Sequence, residues 1–305
     1  MLGYITPDAG PYLVCGLGMS DDSYFAAMVD AGFAVIPSVS GKFGNGESRF
    51  EIDREAAEGS LDYRDVYVLQ SMPHPEHVLE DLLMNLCIMV FACRQLGRFR
   101  QIHALVPCLP FQREPTRLKL AAVMLKASGA HMLTTFGLET EQMAGIFDIP
   151  VRNVDLLPML AEWINGHLGG MVARLGVMGV GHQDVKKAGK LLHHLRSSNS
   201  QLVLFHQGRL FCGSWRANTR SGVLILYQSL HASEDDFNGL QAAIAAGKED
   251  FESAVLVIGH VLPSRWEALW GKCSTLTMIT TSSYSGPLPR PSTWHTLTLS
   301  LDKIL

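Results

Sequence analysis

No two of the six cysteines, Cys15, Cys87, Cys93, Cys108, Cys212 and Cys273, stand in a Cys-x-x-Cys pair or at a spacing that signals a zinc site. They fall mostly in apolar runs and read as buried free thiols of a reducing compartment. Excess charge is missing too, since 25 Lys and Arg face 29 Asp and Glu for a formal −4. Without a basic field to release counterions, nucleic-acid binding is disfavoured. No apolar run reaches the ~20 residues that span a bilayer, and MLGYITPDAG has neither the basic start nor the apolar core of a signal peptide. A cytoplasmic protein without a membrane partner is the expectation. Also lacking is any Ser-His-Asp, Cys-His or paired-carboxylate arrangement, and no metal site is assigned.

What is present is apolar chain in quantity. The 305 residues are 47% hydrophobic and 18% charged, enough for two well-filled cores. Short β-branched or aliphatic runs alternate with helical patterns, the mark of parallel sheets with helices on their faces. Strands are expected at 12–15, 34–37, 65–70, 102–106 and 131–135, then at 175–180, 202–206, 223–227, 254–259 and 276–281. Each half therefore reads as a small α/β domain, 1–155 and 156–305, with the boundary near 151–160.

Local patterns refine this. Pro115 suits a first helical turn, Leu118, Ala121, Ala122 and Leu125 share one face, and Gly129 can take the left-handed stop, which predicts a helix of 14 residues. A second helix is predicted over 76–96, where Leu79, Leu82, Leu83, Leu86, Met89, Val90 and Cys93 form a core stripe and Glu80 and Asp81 complement the N-terminal dipole. From Ser285 onward the chain reads as irregular, ending in one short strand or helix. Gly176, Gly179 and Gly181 have the wrong spacing for a dinucleotide loop and fit a tight strand-to-helix turn. The histidines are read blandly: His74 and His77 as part of a helix start, His182 as solvated, and His193 and His194 as a solvated face beside Lys186, Lys187 and Lys190. Trp266 and Trp270 share a helical face that reads as packing.

The run REPTRLKLAAVMLKASGAHMLTTFGLETEQMAGIFDIP, residues 113–150, resembles the centre of ribose-phosphate pyrophosphokinases (PRPP synthetases), and the likeness extends over about 42–164. Lys42-Phe43-Gly44-Asn45-Gly46-Glu47 is similar to the family's Phe-Ser-Asp-Gly-Glu loop, which contacts adenine across a subunit interface. By resemblance, Phe43, Asn45 and Glu47 are the nucleotide-binding candidates, with Asn45 replacing the family's aspartate. The resemblance implies two tandem phosphoribosyltransferase-like α/β domains, each a mainly parallel sheet flanked by helices.

The departures fall on the family's chemistry. Its Asp-Leu-His-x-x-Gln run is here Gly137-Leu138-Glu139-Thr140-Glu141-Gln142, so Glu139 stands where a histidine serves the metal–ATP site. Phe111 and Gln112 run straight into Arg113-Glu114-Pro115, about eight residues shorter than the family's mobile loop, and such a lid supplies positive charge and excludes water. Gly181 replaces a metal-associated aspartate and Gln207 a lysine, which leaves Arg209 as the remaining cation. The ribose-phosphate loop becomes Tyr227, Gln228, Ser229, Leu230, His231, Ala232, Ser233, Glu234, Asp235 and Asp236. Ser233 can cap a helix, and the acids after it suit a helix dipole. Each carboxylate about 5 Å from a phosphate charge would oppose binding by roughly 3 kcal/mol, more than the dipole's ~0.3–1 kcal/mol attraction.

The reading is a PRPP-synthetase-like protein of impaired catalysis, acting as a regulatory or assembly subunit linked to phosphoribosyl pyrophosphate and nucleotide metabolism. Its partners would be a second copy, in a dimer or higher oligomer, or an active synthetase in a mixed assembly. Mg2+ and ATP are cofactors only if the family's activity survives. The alternatives are a divergent active diphosphokinase or other nucleotide or sugar-phosphate enzyme, and a nucleotide-sensing module. Glu139 and Glu141 keep a repurposed acid–base site open.

Overall fold

The computed structural model describes residues 10–17, 23–53, 63–72, 78–167, 175–179, 184–196, 200–206, 209–212, 222–231, 238–239, 241–242, 244–245, 251, 253–261, 277–280 and 294–296. Packing divides the chain into two compact units, with the main division between Val154 and Asp155.

In the first unit, β1 (Tyr12–Cys15), β2 (Ala34–Val35), β5 (Val66–Leu69), β6 (Ile102–Val106), β7 (Met132–Phe136) and β8 (Val151–Val154) form one sheet in the order β2-β1-β5-β6-β7-β8. All its pairings are parallel. Parallel strands buried on both faces read as continuous apolar runs, and β5 and β6 are buried at every position. The crossovers carry α1 (Ser23–Asp30), α2 (Leu79–Leu96), α3 (Pro115–Ser128) and a 3-10 turn (Glu141–Ile146).

The core follows the predicted stripes. Leu82, Leu83, Leu86, Met89, Val90 and Cys93 of α2 and Leu118, Ala121, Ala122 and Leu125 of α3 are buried against Val66, Val68, Ala104, Val106 and Leu133. Each fully buried aliphatic side chain contributes about 1.5–3 kcal/mol relative to exposure. Both helices stop at glycines in the left-handed region, Gly97 at φ 64° and Gly129 at φ 109°. Burial raises the thiols of Cys87 to about 11 and of Cys93 and Cys108 to about 12, so they pack as inert apolar groups.

Three expectations are corrected here. Strand β7 begins at Met132, because the amide of Ile102 donates to His131 Nδ1 at 3.0 Å rather than to a strand partner. Strand β2 ends at Val35, and the chain turns at once into an antiparallel hairpin of β3 (Ser38–Lys42) and β4 (Ser48–Ile52) that pairs with no other described strand. Helix α2 begins at Leu79, not at residue 76.

In the second unit the order is β11-β10-β9-β12-β13-β14-β15. These strands are β9 (Leu175–Gly179), β10 (Ser200–His206), β11 (Arg209–Cys212), β12 (Val223–His231), β13 (Ser253–Val261), β14 (Thr277–Thr280) and β15 (Trp294–Thr296). Only β10 with β11 is antiparallel among these pairs. Helices α4 (Leu157–His167) and α5 (Asp184–His194) flank β9 in sequence. Strand β12 runs four residues beyond the expected 223–227, because Gln228, Leu230 and His231 remain in register with Ile258, His260 and Val261.

Candidate functional site

In open parallel sheets, ligands bind beyond the carboxyl ends of the strands where the strand order reverses. In the first unit that point lies between β1 and β5, and Gln70 occupies it. The Gln70 side chain is 0% exposed. Its Oε1 accepts from the Leu17 amide at 3.2 Å and from Asn85 Nδ2 at 3.0 Å. Its Nε2 donates to the Leu17 carbonyl at 3.4 Å and the Ser71 carbonyl at 3.1 Å. Gly16 makes room for it, since a Cβ there would lie 1.9 Å from Gln70 Oε1. The amide thus joins the ends of β1 and β5 and leaves the crossover point bridged by the protein's own polar atoms.

The ends of β6 and β7 are joined in the same way. The short connection after β6 puts Phe111 at φ 63°, a left-handed conformation that costs a non-glycine residue of order 1 kcal/mol or more. Gln112 then turns back. Its Nε2 donates to the Leu109 carbonyl at 3.0 Å and its Oε1 accepts from the Glu139 amide at 2.7 Å. Arg113 Nε lies 3.6 Å from Glu139 Oε1, and the Glu139 side chain is only 9% exposed. Arg117 covers the Phe111 ring at 5.9 Å.

The nucleotide-binding candidates Phe43, Asn45 and Glu47 come together at the tip of the β3–β4 hairpin. The tip closes by Phe43 N–H to the Glu47 carbonyl at 2.8 Å and Gly46 N–H to the Phe43 carbonyl at 2.9 Å. Asn45 Oδ1 accepts from the Glu47 amide at 3.2 Å, a local turn that asparagine favours. Phe43 is 47% exposed, with the Arg49 guanidinium 5.6 Å from its ring centre. Arg49 is held in turn by Glu51 through two bonds of 3.1 Å.

The remaining candidates divide. Tyr227 is buried, and burial, with Asp184 and Asp155 adding to it, raises its phenol well above the usual value, so it packs as a core residue. Gln228 and His231 occupy strand positions in β12, and Arg209 opens β11 opposite His206. Gly181, Gln207, Ser233, Glu234, Asp235 and Asp236 lie outside the described residues, as do His74, His77, His182, Trp266 and Trp270. Among the described residues no three His, Cys, Asp or Glu groups gather as metal ligands would. Gln70, Asn85 and Gln112 are the polar residues that sequence reading missed; the signal was a glutamine closing the apolar run Val66-Tyr67-Val68-Leu69 and an asparagine inside the α2 core stripe.

Residues 19–137 match the family described as the N-terminal domain of ribose phosphate pyrophosphokinase. The first unit is thus similar to that family's N-terminal domain over most of its length. A crystal structure of phosphoribosylpyrophosphate synthetase from Mycobacterium smegmatis is similar in fold, with a TM-score of 0.73, 22% identity and 94% of each chain covered. Both units thus carry the α/β architecture of that fold, and among the described residues no helix is long and apolar enough to cross a membrane.

Proposed function

We propose that this chain is a catalytically impaired member of that family and acts as a regulatory or assembly subunit in phosphoribosyl pyrophosphate and nucleotide metabolism. The observation that carries the reading is Glu139. It stands where the resemblance puts the metal–ATP histidine, and its carboxylate faces Arg113 while its amide is taken by Gln112.

A magnesium–triphosphate group does not fit these residues. Mg2+ takes oxygen ligands in near-octahedral geometry. Here the Glu139 carboxylate is engaged by a guanidinium, and the Gln112 carbonyl oxygen already accepts a backbone amide. The missing cationic lid and the acids of 234–236 support the same reading from the sequence. The test is a coupled assay of AMP release from ATP, Mg2+ and ribose 5-phosphate. No turnover is expected, and a rate like that of an ordinary synthetase overturns the proposal.

Nucleotide sensing at the hairpin tip is a second reading, favoured by the exposed Phe43 ring on a turn already ordered by Asn45. Base stacking on an aromatic contributes ~1–3 kcal/mol. Calorimetry with ATP, ADP and AMP on the wild type and on Phe43→Ala checks it: affinity unchanged by the substitution places any site elsewhere. Assembly as a dimer or larger oligomer, with itself or with an active synthetase, is the partner expected for such a subunit. Light scattering that finds a monomer at micromolar concentration removes self-assembly.

A further inference from the structure

Among the described strands the β3–β4 hairpin pairs with no other, so its direction is set by side-chain packing and contacts. Phe50 and Ile52 of β4 pack against the core, which seats the base without fixing the tip. The other strand supplies two polar contacts to α2. Lys42 Nζ forms an ion pair with Asp81 Oδ2, and Ser40 Oγ donates to Asn85 Oδ1 at 3.4 Å.

The spacing of these contacts is matched. Ser40 and Lys42 are two apart on a strand, on one face and about 6.8 Å along it. Asp81 and Asn85 are four apart on a helix, on one face and about 6 Å along it. The two contacts therefore run in opposite residue order along strand and helix, and a slip of one residue turns Ser40 and Lys42 away from their partners and breaks both contacts together. Asn85 cannot swing to follow such a slip, because it is fully buried and its Nδ2 is bound to Gln70 Oε1.

We propose that Asp81 and Asn85 are positioning residues: together they act as a rail on α2 that sets the direction of the hairpin and so presents Phe43, Asn45 and Glu47 as a preformed surface. The rail itself rests only on these contacts, whereas its use for a nucleotide rests on the sensing reading above. Preforming such a surface raises affinity by removing the ordering cost from the binding step.

The test uses the full chain as wild type, Asp81→Asn, Lys42→Met, Ser40→Ala and the exchanged pair Lys42→Asp with Asp81→Lys. Deuterium uptake at amides 38–52 and ATP affinity by calorimetry are the readouts. Each single variant should speed uptake in the hairpin alone, at most about fivefold for contacts this exposed, and weaken ATP binding by no more than the same factor. The exchanged pair should restore wild-type uptake. Hairpin uptake unchanged in the single variants, or not restored by the exchange, overturns the rail. Uptake that behaves as stated while the wild type binds no ATP supports the rail and removes the sensing reading.

Discussion

The two ends of the first-unit sheet treat their polar side chains differently, although the buried Thr135 hydroxyl near the carboxyl end of β7 has no partner. At the carboxyl end, Gln70, Asn85, Gln112 and Glu139 bond to one another and to backbone, and these bonds join neighbouring strand ends. At the amino end, His103 of β6 is buried, yet neither ring nitrogen has a hydrogen-bond partner. It stacks on Tyr67 at 4.5 Å, and its Nε2 stops 3.7 Å short of Asp65 Oδ2. Asp65 is instead taken by two Arg100 bonds of 2.8 and 2.6 Å. A paired buried group is near neutral in energy, while an unpaired one carries its full desolvation cost. The carboxyl end, where open parallel sheets bind their ligands, is thus the better-paired end of this sheet, and the amino end is the strained one.

The largest effect should come from breaking the paired end. Gln70→Leu keeps the volume but strands the Leu17 amide and carbonyl and the Asn85 amide, so urea denaturation should show a loss of about 3 kcal/mol or more. Gly16→Ala should cost about 1–3 kcal/mol by the same measurement, because the new methyl displaces Gln70 from its partners and presses on Met89.

The amino end should respond to pH. Burial lowers the pKa of His103, against a raising pull from Asp65, with His131 and Arg100 also facing it. A base whose folded pKa lies below its unfolded one is stable when neutral, so stability should fall as pH drops below about 6.5, where the unfolded histidine takes a proton. Asp65 works in a separate window: Arg100 lowers its pKa, so its contribution is present above about 3.8 and is lost only as pH falls further. His103→Phe should flatten the upper slope and stabilise the protein by about 1 kcal/mol at pH 5.5. An unchanged slope would show that the strain lies elsewhere. The smallest effect belongs to Arg113→Ala, because the guanidinium is half exposed; thermal melts should shift by the equivalent of less than about 1 kcal/mol.

Much of the sheet was legible because parallel strands are apolar at every position, as in Ile102–Val106, and because Pro115 and Gly129 mark the ends of α3. The hairpin was not. Ser38–Lys42 is polar and carries Gly41, so it gives no strand signal, and it becomes a strand by pairing with Ser48–Ile52, whose Phe50 and Ile52 pack against the core. Tyr227 closed the expected strand 223–227 and also opened the ribose-phosphate loop by resemblance; the register with β13 keeps it in the strand and its ring is buried. Glu139 stood out in the sequence as a replacement by resemblance, but its pairing depends on Gln112 turning back at Phe111, a backbone event that no residue pattern announces.

The central claim is that the carboxyl end of the first sheet is held shut by the protein's own side chains. Amide hydrogen exchange at Leu17 and Glu139, measured with and without saturating Mg2+ and ATP, tests it most directly. Slow exchange at both amides, unchanged by the nucleotide, is expected. Fast exchange without ligand, or protection that appears only with Mg2+ and ATP, would contradict it.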